Sequence, residues 1–179
     1  GSAEAIAKKF PKVKLVRNSQ NIGFAAGNNK GMKMTKGDKI LLLNSDCFVE
    51  PGTISTAVAK LKDFDVLGCK LLNANRSIQA SYGYFPTLWR IFLLMTFIDN
   101  FPIIRKFVKS IHVRDLSRYD HTQEVDWVTG AFTMVKKEVF ASVGGIDEKY
   151  FMYGEEMEWM YRIKKAGFKV RYVSEAQAT

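Results

Sequence analysis

Three stretches of this sequence hold residue types that could do chemistry. Asn44, Ser45 and Asp46 close an apolar run, KILLLNSDC over 39–47, and a Pro-Gly turn follows at Pro51 and Gly52. A carboxylate at the carboxyl end of a strand suits a divalent cation that itself holds phosphates. The competing reading makes Asp46 the start of a turn and nothing more. Glu155 and Glu156 lie at the first turn of a helical pattern, IDEKYFMYGEEMEWMYRIKKAG over 146–167. Paired acids beside Tyr150, Phe151 and Tyr153 suit a general base in a sugar-sized pocket, whereas a helix dipole favours acids at that position whatever the function. The third stretch, NSQNIGFAAGNNKG over 18–31, has three glycines and four asparagines. It suits close backbone approach to a ligand, or equally a turn running into a helix.

The surrounding pattern supplies the elements that must position these groups. Ile40 to Leu43 reads as a strand buried on both faces, in the middle of a mostly parallel sheet. Helices are predicted over 3–10, 25–35, 53–61 (with Thr53 as N-cap) and 138–143, the last ended by Gly144 and Gly145. Strands are predicted over 13–17, 66–72, 125–135 with a break at Gly130, and 169–173. Met157, Met160, Tyr161 and Ile163 mark the apolar stripe of a helix ending at Gly167, with Glu158 and Arg162 as an i,i+4 ion pair.

At 179 residues, 47% hydrophobic and 25% charged, the chain suits one globular domain. No repeat or low-complexity linker argues for a second. The net charge of +9 points to an anionic partner: nucleic acid, an acidic membrane surface or a phosphorylated small molecule. Two isolated cysteines, Cys47 and Cys69, fit a reduced cytosolic protein better than a disulfide scaffold. The chain opens with no signal peptide and has no run long enough to span a bilayer; Gly1-Ser2 reads as a cloning scar. The stretch 85–111, FPTLWRIFLLMTFIDNFPIIRKFVKSI, combines aromatic and aliphatic residues with Arg90, Arg105, Lys106 and Lys109. Two short helices fit it, the first near 88–98. They either meet a membrane surface or cover the sheet or a second copy.

Taken in order, these segments resemble the family 2 inverting glycosyltransferases of the GT-A fold, and within them the rhamnosyltransferase-like members. NIGFAAGNNKG (21–31) is similar to the family's segment near the nucleotide. LLLNSD (41–46) with VEPG (49–52) is similar to its metal-binding variant of the D-x-D motif, and VDWVTGAFTMVKKEVFASVGGIDEKYFMYGEE (125–156) to its acceptor-side segment.

The resemblance implies an α/β fold with a mostly parallel central sheet flanked by helices, in a single domain fragment over 1–179 truncated at both ends. It implies that Asp46 binds Mg²⁺ or Mn²⁺ bridging a donor diphosphate, with Asn21, Gly23, Asn29 and Asn44 on the donor side. Trp127, Gly130 and Ala131 would line the donor-sugar and acceptor side. Glu156 falls where the family has its catalytic Asp, with Glu155 as the alternative base. The partners implied are a nucleotide-sugar donor and a glycan or lipid-linked acceptor, in cell-surface polysaccharide assembly at the inner face of the membrane. Ser45 departs from the family's proline, and Glu156 is one methylene longer than its Asp. The rival readings are an inactive scaffold relative and a basic nucleic-acid-binding module. The second lacks any recognisable nucleic-acid motif, and Glu155, Glu156 and Glu158 argue against it.

Overall fold

The computed structural model describes residues 1–179, the side chain of Arg105 excepted. In chain order the elements are α1 (Ser2–Lys9), α2 (Gly23–Met34), β1 (Lys39–Leu43), α3 (Thr53–Lys60), β2 (Val66–Leu72), β3 (Ile78–Gln79), β4 (Tyr82–Gly83), α4 (Leu88–Met95) and α5 (Pro102–Phe107). They continue with β5 (Gln123–Glu124), β6 (Trp127–Val128), β7 (Phe132–Lys136), α6 (Lys137–Val143), α7 (Glu155–Lys165) and β8 (Val170–Ala178).

The main sheet runs β1-β7-β2-β8-β5, with β3 added to the end of β2. Only β2 and β8 pair in parallel; β1–β7, β7–β2, β8–β5 and β2–β3 are antiparallel. The sheet is therefore mixed, which corrects the mostly parallel one expected. An apolar run reports burial and carries no information about strand direction. β1 and β2, joined through α3, do run the same way, but β7 arrives from the later half of the chain and inserts between them, antiparallel to both. Among the described residues β1 is the first strand of this sheet. Its burial alternates, with Ile40 and Leu42 buried and Leu43 40% exposed, so it is not the doubly buried central strand its composition suggested.

That alternation divides the interior in two. Ile40, Leu42, Val66, Val135, Val170 and Tyr172 join Ala25, Met32, Trp159, Met160 and Ile163 of α2 and α7 in one core. Leu67, Cys69, Phe132, Met134 and Val173 join Ala57 of α3 and Leu61 in the other. Successive strand residues point to opposite faces, so each face acquires its own helical cover.

Two local expectations fail. Residues 13–17 form no strand; Val13 is 58% and Val16 40% exposed, and a β-prone segment without a partner ladder gains nothing from its propensity. Thr53 is not a cap. Gly52, at φ +88°, occupies the N-cap of α3, and the Thr53 hydroxyl donates instead to Gln177 O at 2.6 Å, tying α3 to β8. The break predicted at Gly130 separates β6 from β7, and the Glu158–Arg162 pair forms at 2.6 Å. Both cysteines are free.

Candidate active site

The chain leaves β1 into a turn fixed at both ends. Asn44 N donates to Ala131 O at 3.0 Å and Cys47 N to Asn44 O at 3.1 Å, so Asp46 is presented beside the β6–β7 connection. Phe48 and Thr179 exchange a pair of backbone hydrogen bonds at 2.6 and 2.8 Å, which pins the far side of the turn to the end of β8.

The second acidic group comes from the start of α7. Gly154, at φ +88°, ends the preceding loop and puts Glu155 and Glu156 in the first helical turn. Asp46, Glu155 and Glu156 then line one cleft of about 470 Å³, with Asn44, Gly130 and Ala131 as further walls. Phe24, Gln79, Thr129, Met152 and Tyr153 complete it.

Helix-dipole decoration leaves one feature of the two glutamates unexplained, their unpaired buried oxygens. Glu155 is 4% exposed, and burial pushes its carboxyl pKa up, with the Glu156 charge adding to the shift. One oxygen of each glutamate, Oε2, is buried without a hydrogen-bond partner among the described residues. Leaving a buried polar atom unpaired costs about 1–3 kcal/mol, comparable with the up to about 2 kcal/mol that a helix N-terminus returns to a partly buried acid. Among the described residues the lining contains three acids and no cation, although the chain carries +9 overall.

Other predicted site residues lie outside the lining. Asn21 Oδ1 accepts from Gly23 N at 2.9 Å and shapes the entry to α2. Gly23, at φ +82°, admits Phe151: a Cβ there would lie 2.8 Å from Phe151 O, which accepts from Phe24 N at 3.1 Å. Asn29 is 4% exposed and clamps α2 to the loop after α6. Its amide donates to Ile146 O at 2.7 Å and Glu148 Oε1 at 2.9 Å, and its Oδ1 accepts from Ile146 N at 2.9 Å. The glycine- and asparagine-rich stretch thus holds the loop that delivers Glu155 and Glu156. Trp127 is buried in β6, edge-on to His112 at 5.1 Å between ring centroids.

Sequence reasoning did not single out Phe24, Gln79, Thr129 or Met152. Phe24 had a signal, its place between Gly23 and a Gly-Asn-Asn run. Gln79 had none, since only the pairing of β3 with β2 brings it there.

In the segment over 85–111, Leu88 is 89%, Trp89 63%, Met95 72%, Ile103 76% and Phe107 81% exposed. Arg90 turns the other way, donating to Phe85 O at 2.6 Å and lying 3.6 Å from Asp126. Among the described residues no helix is long and apolar enough to cross a membrane.

This arrangement is that of a GT-A-type glycosyltransferase. The chain superposes on the structure of GalNAc-T7 with UDP, GalNAc and Mn²⁺ at a TM-score of 0.66 and 16% identity, covering 98% of this chain and 33% of that one. It also matches the mannosyltransferase PcManGT from Pyrobaculum calidifontis, in complex with GDP-Man and Mn²⁺, at 0.60 and 14% identity, covering 98% and 41%.

The chain belongs to the glycosyltransferase like family 2, whose model matches residues 2–179. Among curated proteins it is 25% identical to the N-acetylglucosaminyl-diphospho-decaprenol L-rhamnosyltransferase of Mycobacterium tuberculosis, over 99% of this chain and 61% of the relative. It is 29% identical to the rhamnosyltransferase WbbL of Escherichia coli K12, over 84% and 58%. The chain thus spans about three-fifths of the length of these curated relatives.

Proposed function

We propose that this chain is the catalytic core of a transferase that moves a sugar from a nucleoside-diphosphate donor to a hydroxyl acceptor with inversion, in cell-surface polysaccharide assembly. The observation that carries the reading is the convergence of Asp46 and the Glu155–Glu156 pair on one cleft, from distant parts of the sequence. Inversion needs a base behind the attacking oxygen and countercharge on the leaving diphosphate. The cleft supplies a carboxylate for the first at the α7 wall, and Asp46 at another wall would hold the cation that supplies the second. Glu156, half-buried in the first turn of α7, takes the proton from the acceptor hydroxyl. Glu155, more deeply buried, fixes the polarity of the pocket beside it.

A diphosphate cannot enter a cleft lined by three acids without countercharge, and Asp46, exposed at its rim, fits a divalent cation, Mg²⁺ or Mn²⁺. Such an ion, when bound, neutralises the leaving diphosphate. No group of three or more His, Cys, Asp or Glu among the described residues forms a metal cage, so phosphate oxygens and water would complete its coordination. Asn44 orients the turn that carries Asp46, and Gly130 and Ala131 leave room for the sugar.

The M. tuberculosis relative is named for a diphospho-decaprenol acceptor, and that name supports a lipid-linked acceptor for this chain. The exposed face of α4 and α5 then rests on the inner membrane surface, where Leu88, Trp89 and Phe107 enter the headgroup region and Lys106 meets anionic lipid.

The test is a Glu156→Gln variant of the full-length protein, assayed for sugar transfer and for nucleotide binding. Loss of turnover by roughly a hundredfold or more with nucleotide affinity retained supports the assignment. Unchanged turnover contradicts it.

A further inference from the structure

The cleft has an apolar rim that the acid chemistry does not use. Tyr153 lines it and is 82% exposed, and Met152 beside it is 53% exposed. Tyr153 also has φ +71°, and Gly154 follows at φ +88°. Positive φ is normally the preserve of Gly, Asn and Asp. A bulky side chain in that conformation is a genuine outlier. Such strain persists where surrounding structure enforces it, and here both sides of the loop are held. Phe151 O is bonded to Phe24 N, Gly23 packs against Phe151, and α7 begins at Glu155. The result holds an aromatic ring in water at the mouth of a polar cleft, next to the two glutamates.

Resting on the transferase reading above, we propose that Tyr153 is the platform for the transferred sugar: its ring packs against the C–H face of the pyranose while the cleft's carboxylates and amides take the hydroxyls. A hexose has one face rich in axial C–H and a periphery of hydroxyls. An aromatic face carries negative quadrupole density that attracts those C–H groups, and convergent polar groups around an apolar surface fix orientation. Phe24, whose ring lies against Gly130 in the same cleft, extends the apolar wall inward. Tyr153 therefore governs affinity for the sugar and not for the nucleotide.

The experiment compares Tyr153→Asn and Tyr153→Phe with the unaltered full-length protein by thermal melting and by calorimetric titration. The ligands are UDP, dTDP and GDP with Mn²⁺, then the sugar-bearing form of whichever diphosphate binds. Tyr153→Asn relieves the backbone and is expected to melt about 2 °C or more higher. It should keep its diphosphate affinity and lose roughly tenfold or more in affinity for the nucleotide sugar. Tyr153→Phe should match the unaltered protein in binding. A Tyr153→Asn protein that melts lower has lost a structural contact, and one that binds the nucleotide sugar unchanged has lost no platform. Either result overturns the assignment while the donor reading stands. Failure of the unaltered protein to bind any of the three diphosphates removes the donor reading, and the platform with it.

Discussion

Gly130 and Phe24 meet at the wall of the cleft: a Cβ built on Gly130 would lie 2.7 Å from Phe24 Cζ. The middle residue of the β6–β7 connection is thus matched to the first turn of α2. In Gly130→Ala the ring must swing, since it is the free end of a side chain, so the stability cost should stay near 1 kcal/mol. The displaced ring enters the cleft, and donor KM should rise severalfold. Adding Phe24→Leu should restore most of that KM, a coupling measured by a double-mutant cycle.

Asn29 separates a supporting role from a ligand-binding one. Asn29→Ala leaves the Ile146 N–H and C=O without their side-chain partner, and unfolding in urea should show a loss of about 2–4 kcal/mol. Nucleotide affinity measured well below the melting temperature should change by less than about threefold. A large affinity loss with unchanged stability would place Asn29 at the ligand instead.

The Glu155 carboxyl gives a pH signature. Burial raises its folded pKa above the unfolded value, so the folded state holds the proton more tightly. Its favourable contribution is complete below the unfolded pKa, about 4.3, and is lost as pH rises through the folded pKa. Glu155→Gln should therefore melt higher than the unaltered protein at pH 8, with the two curves converging at about pH 4. Melting scans across pH check this, and a constant difference would contradict it.

The exposed ring of Trp89, stacked on Phe92 at 5.4 Å, contributes little to folding. Trp89→Ala combined with Leu88→Ala should shift stability by no more than about 0.5 kcal/mol per site. The same variant should release the protein from vesicles containing anionic lipid at low salt, as measured by flotation. Retention equal to that of the unaltered protein would remove α4 from the membrane contact.

Much of the architecture was legible because the helices and β2 have clear periodicity and clear punctuation. Gly144 and Gly167 end helices where their backbone freedom is required, and Gly130 breaks a strand against a ring. Strand direction and order were not legible. β7 separates β1 from β2 through long-range pairing, which no local pattern encodes. Asp46, Glu155 and Glu156 could be picked out as chemical groups, but their sharing of a cleft with Gln79 and Thr129 depends on that topology. Asn29 illustrates the opposite difficulty. Its residue type suits a ligand and a backbone clamp equally, and only the contact with Ile146 reveals the clamp.

The central claim is that Asp46 anchors a metal-bridged donor diphosphate in the cleft. It is tested most directly by calorimetric titration of the full-length protein with UDP, dTDP and GDP, with and without Mn²⁺, beside an Asp46→Asn variant. The account predicts Mn²⁺-dependent binding of at least one diphosphate and its loss, by roughly tenfold or more, in the variant. Binding that ignores both Mn²⁺ and the substitution would contradict it and return Asp46 to the role of a turn residue.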